Sequence, residues 1–298
     1  MVELQVEFDP PARRCIVCNG QIVPWKTKHA HGLAFGYDRC TACSFVFVNP
    51  RPTFRSLGRF YADYARTFGL IPAEPGRIVP PVPGQAQRQL IRMMLRVRPG
   101  PGTFLDVGSG DGQASAAARD AGLDVTALEI EPRFVASMRL LPGLVVVPQL
   151  YEDFQSPPNR FDHILMSHVL EHAHDPAGFV ERAGRLLTPG GVLWVLLPSF
   201  DSVYRVLLGT RDPYFTPPVH LNHFNPRSLG ALCRRAGLEI VENTDYHDIP
   251  RDVITKRLPA AMRPPVEAAT AVAAALGTWL VTLVGAGAFV RCVARKPA

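Results

Sequence analysis

Short apolar runs alternate with amphipathic stretches along most of the chain. Each run is bounded by glycine, proline or polar residues, as β-strands are, and apolar residues recur at helical spacing between the runs. This alternation indicates an α/β fold, with a parallel sheet and helices on both faces. The predicted strands are Thr103–Val107, Asp124–Glu129, Leu144–Val147, Phe161–Ser167, Gly191–Leu197, Leu238–Asn243 and Ala288–Ala294. The predicted helices are Gln85–Val97, Gln113–Ala121, Pro132–Leu140, Asp175–Leu187 and Arg227–Ala236.

The N-terminal part of the chain has a different pattern. It predicts short strands, such as Phe45–Val48, followed by a helix over Thr53–Tyr64. Residues 69–84 are rich in proline and glycine and are predicted to form a linker or a lid. We therefore divide the chain into residues 1–52, a small N-terminal domain; 53–98, a helical and linker segment that covers the ligand site; and 99–298, the sheet domain, with insertions at about 200–222 and 246–286.

Four of the six cysteines form two Cys-x-x-Cys pairs, Cys15 with Cys18 and Cys40 with Cys43. Two such pairs, about twenty residues apart, are a zinc pattern, because each pair offers two thiolates from one tight turn. Four protein ligands close the coordination shell, so the predicted zinc is structural. It would supply folding energy to a segment too small and polar to hold a core alone. Disulfides and an iron centre are the alternatives.

A glycine-rich turn follows the first predicted strand. Gly108, Gly110 and Gly112 lead into a helix, and glycine is needed where φ is positive or where the backbone lies against a ligand. The dinucleotide fingerprint requires a glycine where Gln113 stands. Glu129, at the end of the next strand, can accept both hydroxyl hydrogens of a ribose. The combination favours a nucleoside cofactor, with an ordinary strand–turn–helix as the alternative.

This part of the chain resembles the class I S-adenosylmethionine-dependent methyltransferases, strongly over about residues 88–200. The resemblance implies a Rossmann-like sheet of seven mostly parallel strands, with the seventh inserted antiparallel between the fifth and sixth. The residues that carry the resemblance are Asp106–Gly112, Glu129, Phe161-Asp162, His168–His172 and Leu187–Gly191. The cofactor-binding residues implied or expected are Asp106, Gly108, Ser109, Gly110, Gly112, Glu129, Ile130, Tyr151, Glu152, Ser167 and His168.

Two segments after predicted strands carry candidate catalytic histidines. His168, Glu171 and His172 are predicted to open a helix, where positions i, i+3 and i+4 share one face. Such a set could bind a divalent metal, line the cofactor pocket or supply a base, and some ubiquinone-pathway O-methyltransferases, which this segment resembles, use it for a metal. Methyl transfer to a weak acceptor also requires removal of a proton. His220 is the first choice for this base and His172 the second, with packing or capping as the alternative for His220.

The paired cysteines followed by this core also resemble the sugar C-methyltransferases of deoxysugar pathways, whose catalytic histidine matches His220. Those enzymes have Tyr and Glu immediately before it, where this chain has Pro218 and Val219. The predicted acceptor is therefore a small molecule, a sugar or another secondary metabolite. The alternatives are RNA or protein methylation with the zinc ribbon as the recognition element, and a non-catalytic zinc-ribbon binding module.

Charge and hydropathy refine the expected partners. The net charge is +6, but the basic residues are scattered, so no nucleic-acid partner is expected. The polar N-terminus predicts no signal peptide and a cytoplasmic location. Residues 268–290 contain no charged residue and are long enough to cross a bilayer. They are predicted to form a packed or substrate-covering helix and then a strand, with peripheral membrane contact or a membrane span as alternatives.

Overall fold

The computed structural model describes residues 6–58, 78–212, 214–246 and 287–298. Its strands are β1 Ile22–Ala30, β2 Leu33–Cys40, β3 Val46–Val48, β4 Thr103–Val107, β5 Asp124–Leu128, β6 Leu144–Val147, β7 Phe161–Ser167, β8 Leu187–Pro198, β9 Asn222–His223, β10 Glu239–Tyr246 and β11 Phe289–Arg295. Its helices are α1 Gln85–Val97, α2 Gln113–Asp120, α3 Pro132–Met138, α4 Pro176–Leu186, α5 Val203–Leu208 and α6 Pro226–Arg235, with a 3-10 turn at Gly209–Arg211.

The main sheet has seven strands in the order β10-β11-β8-β7-β4-β5-β6. Strands β6, β5, β4, β7 and β8 are parallel neighbours, whereas β11 runs antiparallel to both β8 and β10. The predicted seven-stranded sheet and the antiparallel insertion of its last strand are confirmed. The carboxyl ends of β4, β5 and β7 meet at one edge of the sheet, which is where open α/β sheets bind ligands.

Five strands differ from the sequence prediction at one or both ends. Strand β3 begins at Val46 instead of Phe45, and β11 covers Phe289–Arg295 instead of Ala288–Ala294. Strand β5 ends at Leu128, so Glu129 lies in the following loop. Strand β8 begins at Leu187 instead of Gly191, because Leu187 already pairs with β7. Strand β10 continues to Tyr246 because it pairs with β11 over its whole length.

Several predictions fall partly or wholly outside the described residues. Of the helix predicted over Thr53–Tyr64, residues 54–58 are described and are helical. Of the predicted linker or lid, residues 78–84 are described and have no regular secondary structure. Most of the predicted insertion at 246–286, and most of the apolar residues 268–290, lie outside the described residues. Within the described ranges, no helix combines the length and the apolar character needed to cross a bilayer.

Helices pack on both faces of the main sheet. On one face, Ile91 of α1 packs in a buried cluster with Phe104 and Trp194 of the sheet. On the other face, Val180 of α4 and Leu229 of α6 belong to a larger cluster. Because helices cover both faces of the sheet, side chains on both faces of its strands are buried. The strands therefore have continuous apolar sequences.

The N-terminal strands form a second sheet, which a strand from the sheet domain completes. Its order is β1-β2-β3-β9, and Phe47 of β3 pairs with Asn222 of β9. The ring of Phe45 lies 4.7 Å from that of Phe224, between centroids, inside the same buried cluster as α4 and α6. The ribbon, which we define as residues 6–52, is therefore built directly against the sheet domain.

His163 generates a prediction about pH-dependent stability. It lies in β7 and is 1% exposed, and its burial, together with the charge of Arg98, lowers the pKa of its imidazole to about 4. The pKa in the unfolded chain is about 6.5, so the unfolded state binds more protons between these two values. Stability from the neutral imidazole is therefore complete above about pH 6.5 and is lost as the pH falls toward 4.

The variant His163→Gln removes this titration. The free energy of unfolding of the wild type, relative to the variant, should fall by about 2–3 kcal/mol between about pH 7.5 and pH 4.5. Urea denaturation of both proteins at the two pH values measures it. The comparison cancels the protonation of other groups, so an unchanged difference would show that His163 is not buried in neutral form.

Candidate cofactor and acceptor site

Three glycines after β4 have left-handed backbone conformations. The φ angles of Gly108, Gly110 and Gly112 are 62°, 55° and 76°, which glycine adopts without steric cost. A Cβ atom on Gly112 would lie 2.4 Å from Cγ of Met138, whereas one on Gly110 would meet nothing within 4 Å. The loop is therefore packed against α3 at Gly112 and leaves open space beside Gly110.

Glu129 joins this loop to the end of β5. Its Oε2 accepts a hydrogen bond from the N–H of Gly110 at 2.7 Å, and its Oε1 accepts from the N–H groups of Ile130 and Glu131, both at 2.8 Å. Burial raises the pKa of Glu129, while the three N–H groups act in the opposite direction. The two elements that the sequence assigned to the cofactor are thus in direct contact.

Ser109 and Ile130 complete the surface of the loop. The N–H and the hydroxyl of Ser109 both donate to the carbonyl oxygen of Leu128, at 2.9 and 3.2 Å. Ile130 is 54% exposed, which leaves a large apolar side chain open at the ligand edge of the sheet.

Asp106 lies beneath the loop and is almost fully buried. Its Oδ2 accepts a hydrogen bond from the hydroxyl of Ser115 in α2, at 2.6 Å. Burial raises the pKa of Asp106 to about 7, against the opposing effect of that hydrogen bond. The side chain therefore ties β4 to the helix that follows the glycine loop.

Residues 78–84 cross the start of α2. The N–H of Gly84 donates to Oε1 of Gln113 at 3.2 Å, and the hydroxyl of Ser137 in α3 donates to the carbonyl oxygen of Val79. The ring of Pro81 approaches Gly112. The described end of the predicted covering segment thus lies against the glycine loop.

Tyr151 and Glu152 follow β6 and lie beside α4. The ring of Tyr151 is buried and packs on Phe179, with centroids 5.0 Å apart. The guanidinium of Arg182 lies 5.3 Å from the centroid of the same ring. A cavity of about 420 Å³ opens between this loop and the start of α4, and both Tyr151 and Glu152 line it.

Residues 168–174 form a turn, and the prediction that this segment opens a helix is wrong. Helix α4 begins only at Pro176. The carbonyl group of Glu171, which would extend a helix, instead accepts from the N–H groups of Leu221 and Asn222, at 2.8 and 3.1 Å. Pro176 also disfavours helical geometry in the residue before it.

The turn brings Glu171 and His172 against His220. One carboxylate or ring atom from each of the three lies within 4.8 Å of the others, and the two rings are 4.7 Å apart. His168, which follows Ser167 at the end of β7, places Nδ1 3.2 Å from Oε1 of Glu171. The other carboxylate oxygen, Oε2, is buried and has no hydrogen-bond partner among the described residues. Such a group can hold a proton or, alternatively, a divalent cation.

The charges in this cluster follow from burial and proximity. Burial lowers the pKa of His220. Burial and the nearby His220 ring lower the pKa of His172 to about 4. The negative charge of Glu171 acts in the opposite direction on both rings. Burial would raise the pKa of Glu171, but the hydrogen bond from His168 and the nearby histidines lower it to about 2. Burial lowers the pKa of His168, but the hydrogen bond and the charge of Glu171 outweigh this effect, so the pKa is raised. At neutral pH the centre therefore has an ionised carboxylate beside neutral His172 and His220.

Main-chain carbonyls set the tautomers of these two rings. Nδ1 of His220 lies 2.6 Å from the carbonyl oxygen of Tyr214, and Nδ1 of His172 lies 3.1 Å from that of Val219. A carbonyl only accepts hydrogen bonds, so each neutral ring donates from Nδ1 and carries its lone pair on Nε2.

The four cysteines of the ribbon meet at one point. Sγ of Cys15 is 3.7 Å from that of Cys43, and Sγ of Cys18 is 3.5 Å from that of Cys40. A tetrahedral zinc with Zn–S bonds of about 2.3 Å separates its sulfurs by about 3.8 Å, whereas a disulfide bond is about 2.05 Å long. The predicted cluster is confirmed, and its geometry suits a tetrahedral cation.

Sequence reasoning missed two polar residues next to this site, Arg51 and Asn222. Both are buried, and they hydrogen-bond to each other and to the turn at 168–174. The position of Asn222, two residues after His220, was the one available signal.

A family described as a methyltransferase domain matches residues 82–243, more than half of the chain. A ubiquinone biosynthesis O-methyltransferase from Xylella fastidiosa (strain 9a5c) is 32% identical over 152 residues, which are 46% of this chain and 60% of the relative. The chain thus spans less than two thirds of the length of that curated relative.

Two crystal structures share the fold. One is 1,6-didemethyltoxoflavin-N1-methyltransferase from Burkholderia thailandensis, with a TM-score of 0.53, 16% identity, and coverage of 92% of this chain and 100% of that chain. The other is an S-adenosylmethionine-dependent methyltransferase from Mesorhizobium loti, with a TM-score of 0.51, 20% identity, and coverage of 72% and 99%. The family match, on a sheet that carries the glycine loop and Glu129 at its ligand edge, shows that this chain belongs to the class I S-adenosylmethionine-dependent methyltransferases.

Proposed function

We propose that the chain methylates a small molecule, with His220 as the general base. The observation that carries the proposal is the 2.7 Å hydrogen bond from Gly110 to Glu129, which joins both cofactor-binding elements into one surface. S-adenosylmethionine supplies an electrophilic methyl carbon on its sulfonium. A lone pair of the acceptor would bond to that carbon as the carbon–sulfur bond breaks and S-adenosylhomocysteine leaves, and Nε2 of His220 would accept the acceptor proton.

Glu129 is suited to hold a ribose. An ionised carboxylate has about four lone-pair sites, and three backbone N–H groups use three of them. The remaining capacity can accept a ribose hydroxyl. The exposed side chain of Ile130 offers an apolar surface for the adenine, and Asp106 fixes the strand end beneath the loop through Ser115.

His220 has the properties of a base. Its Nδ1 donates to a carbonyl, so Nε2 carries the lone pair, and its lowered pKa keeps the ring neutral at pH 7. The carboxylate of Glu171 would stabilise the imidazolium that forms on proton uptake. His172 packs on His220 and is the second candidate.

The class of acceptor follows from the position of the ribbon. Its sheet is completed by β9, and Phe45 and Phe47 are buried against the sheet domain, so these surfaces are not available to a macromolecule. The named relatives act on ubiquinone precursors and on didemethyltoxoflavin. We infer a compact acceptor with an acidic O–H or N–H group.

The ribbon cysteines would hold a structural zinc ion. The sulfur separations match a tetrahedral S₄ site, and four thiolates leave no open coordination position. The zinc would therefore stabilise β1–β3 without taking part in methyl transfer.

The variant Glu129→Ala tests the cofactor site. Binding of S-adenosylmethionine should weaken about ten- to hundredfold, because the ribose loses a hydrogen bond to a charged group. Isothermal titration calorimetry measures it. The matched control is Glu131→Ala, whose carboxylate accepts from the N–H of Arg133 at the start of α3 and which should bind within about twofold of the wild type. Equal binding by Glu129→Ala would remove this carboxylate from the cofactor site.

The variant His220→Ala tests the base. A library of hydroxyl and amine acceptors is first screened with the wild type, following S-adenosylhomocysteine release. With an acceptor in hand, His220→Ala should lower kcat about 10²–10⁴-fold and leave cofactor affinity unchanged. His29→Ala, an exposed position on β1, should keep full activity. Full turnover by His220→Ala would exclude it as the base.

Metal analysis tests the ribbon and separates two uses of the histidine cluster. The purified wild type should contain about one zinc per chain, and Cys40→Ser should lose it and unfold at a lower temperature. Cys233→Ser, at a buried cysteine 3.8 Å from Cys292, should keep it. His220→Ala should also keep it, whereas a second metal in the wild type that this variant loses would favour a metal at the histidines.

A further inference from the structure

Four carbonyl groups of the turn after β7 accept hydrogen bonds from outside the turn. The carbonyl of Glu171 accepts from the backbone of residues 221–222. Those of Leu170 and Ala173 accept from the side chain of Asn222, and those of Ala173 and His174 accept from Arg51. Within the turn, the N–H of Ala173 also donates to the carbonyl oxygen of Leu170 at 3.3 Å. The other bonds to these four carbonyls come from donors outside the turn, which therefore help to keep its shape.

Asn222 supplies donors to both ends of the turn. Its Nδ2 donates to the carbonyl oxygens of Leu170 and Ala173, both at 2.7 Å, and its Oδ1 accepts from Arg51. The residue is 1% exposed. Both N–H donors of its amide bond to the turn, and its carbonyl oxygen bonds to the ribbon through Arg51.

Arg51 brings a buried positive charge to the same point. Among the described residues, no carboxylate lies within ion-pair distance of its guanidinium. Its hydrogen bonds to these residues go to two carbonyl oxygens and to the side chain of Asn222. Burial lowers its pKa to about 10, so it stays charged at neutral pH, with Asp9 and Asp175 attracting it from farther away. A planar guanidinium has five N–H donors in a fixed geometry, whereas an ammonium has three on one nitrogen atom.

The turn and the segment at 219–222 carry the two halves of the proposed proton-transfer centre. Glu171 and His172 lie on the turn, and His220 lies on the other segment. Among the hydrogen bonds between the two halves, the one from Nδ1 of His172 to the carbonyl oxygen of Val219 sets the ring orientation of His172. We propose that Arg51 and Asn222 are positioning residues that hold His172 and Glu171 in register with His220.

Arg51 and Asn222 also connect the ribbon to the segment that carries His220. Arg51 lies three residues after β3, and the N–H of Val48 donates to the carbonyl oxygen of Leu221 at 3.0 Å. The ribbon thus holds the segment of His220 both through its strand ladder and through Arg51. This inference rests on the proposed role of His220.

The test reads the tautomers of the histidine rings by ¹⁵N NMR of the full, zinc-loaded chain, with His172→Gln and His220→Gln spectra for assignment. The wild type should show both rings protonated at Nδ1. In Asn222→Ala and Asn222→Asp, the Nδ1–H signal of His172 should be lost in favour of Nε2–H, because the two loops separate. Asn222→Asp keeps an acceptor for Arg51 and replaces the two N–H donors by a carboxylate oxygen, which cannot bond to the carbonyls of the turn. Asn222→Ala removes the same bonds without adding a charge.

The matched control is Asn225→Ala. Asn225 is a buried asparagine that caps α6, so its loss perturbs the same region without touching the turn. Arg51→Lys keeps the charge and remains a usable variant if both Asn222 variants fail to fold; it should show partial loss of the His172 signal. Cofactor affinity, measured by calorimetry, should stay within about twofold of the wild type in every folded variant.

Two results would overturn the inference. One is a folded Asn222 or Arg51 variant with the wild-type tautomer at His172. The other is an equal loss in Asn225→Ala, which would mean general loosening of the region. Neither depends on turnover, so failure of His220 as a base would be seen separately in the His220→Ala assay.

Discussion

Backbone polar groups at the carboxyl ends of β4, β5 and β7 lie beyond the sheet ladder, and the site depends on how side chains satisfy them. On the cofactor side these groups are N–H donors, and the carboxylate of Glu129 accepts from three of them. On the acceptor side they are the carbonyls of the turn at 168–174, and Arg51 and Asn222 supply the donors. The first arrangement leaves an anionic acceptor for hydroxyl groups, and the second fixes histidines in space.

Sequence reasoning predicted the parts of this arrangement that local patterns encode. The strand–helix alternation, the glycine loop and Glu129 are each defined within a short window, and the paired cysteines are a spacing pattern. The turn at 168–174 was missed because its shape is imposed by residues about fifty positions later, through the bonds of Leu221 and Asn222 to Glu171. The two-residue strand β9 is too short for any periodicity, and it forms because β3 is available as its neighbour.

The ribbon illustrates how a small domain can become part of a larger core. A segment of this size buries too little apolar surface to fold alone, and here Phe45 and Phe47 are buried together with residues of the sheet domain. The cysteine cluster fixes one end of the ribbon, and β9 and Arg51 fix the other. Loss of order at the cysteine cluster would therefore change the position of His220 through β3 and β9, although the sulfur atoms do not contact His220.

Burial and the carboxylate of Glu171 have opposing effects on the pKa of His220, the proposed base. Burial lowers the pKa of His220 and favours the neutral ring that can accept a proton, while the negative charge of Glu171 raises that pKa. The ground state needs the first effect and the protonated product needs the second. His168 already bonds to Oε1 of Glu171, and Oε2 is left buried without a partner among the described residues. An unpaired carboxylate oxygen in such a site is costly, and a positive charge formed on His220 would reduce that cost at the moment of methyl transfer.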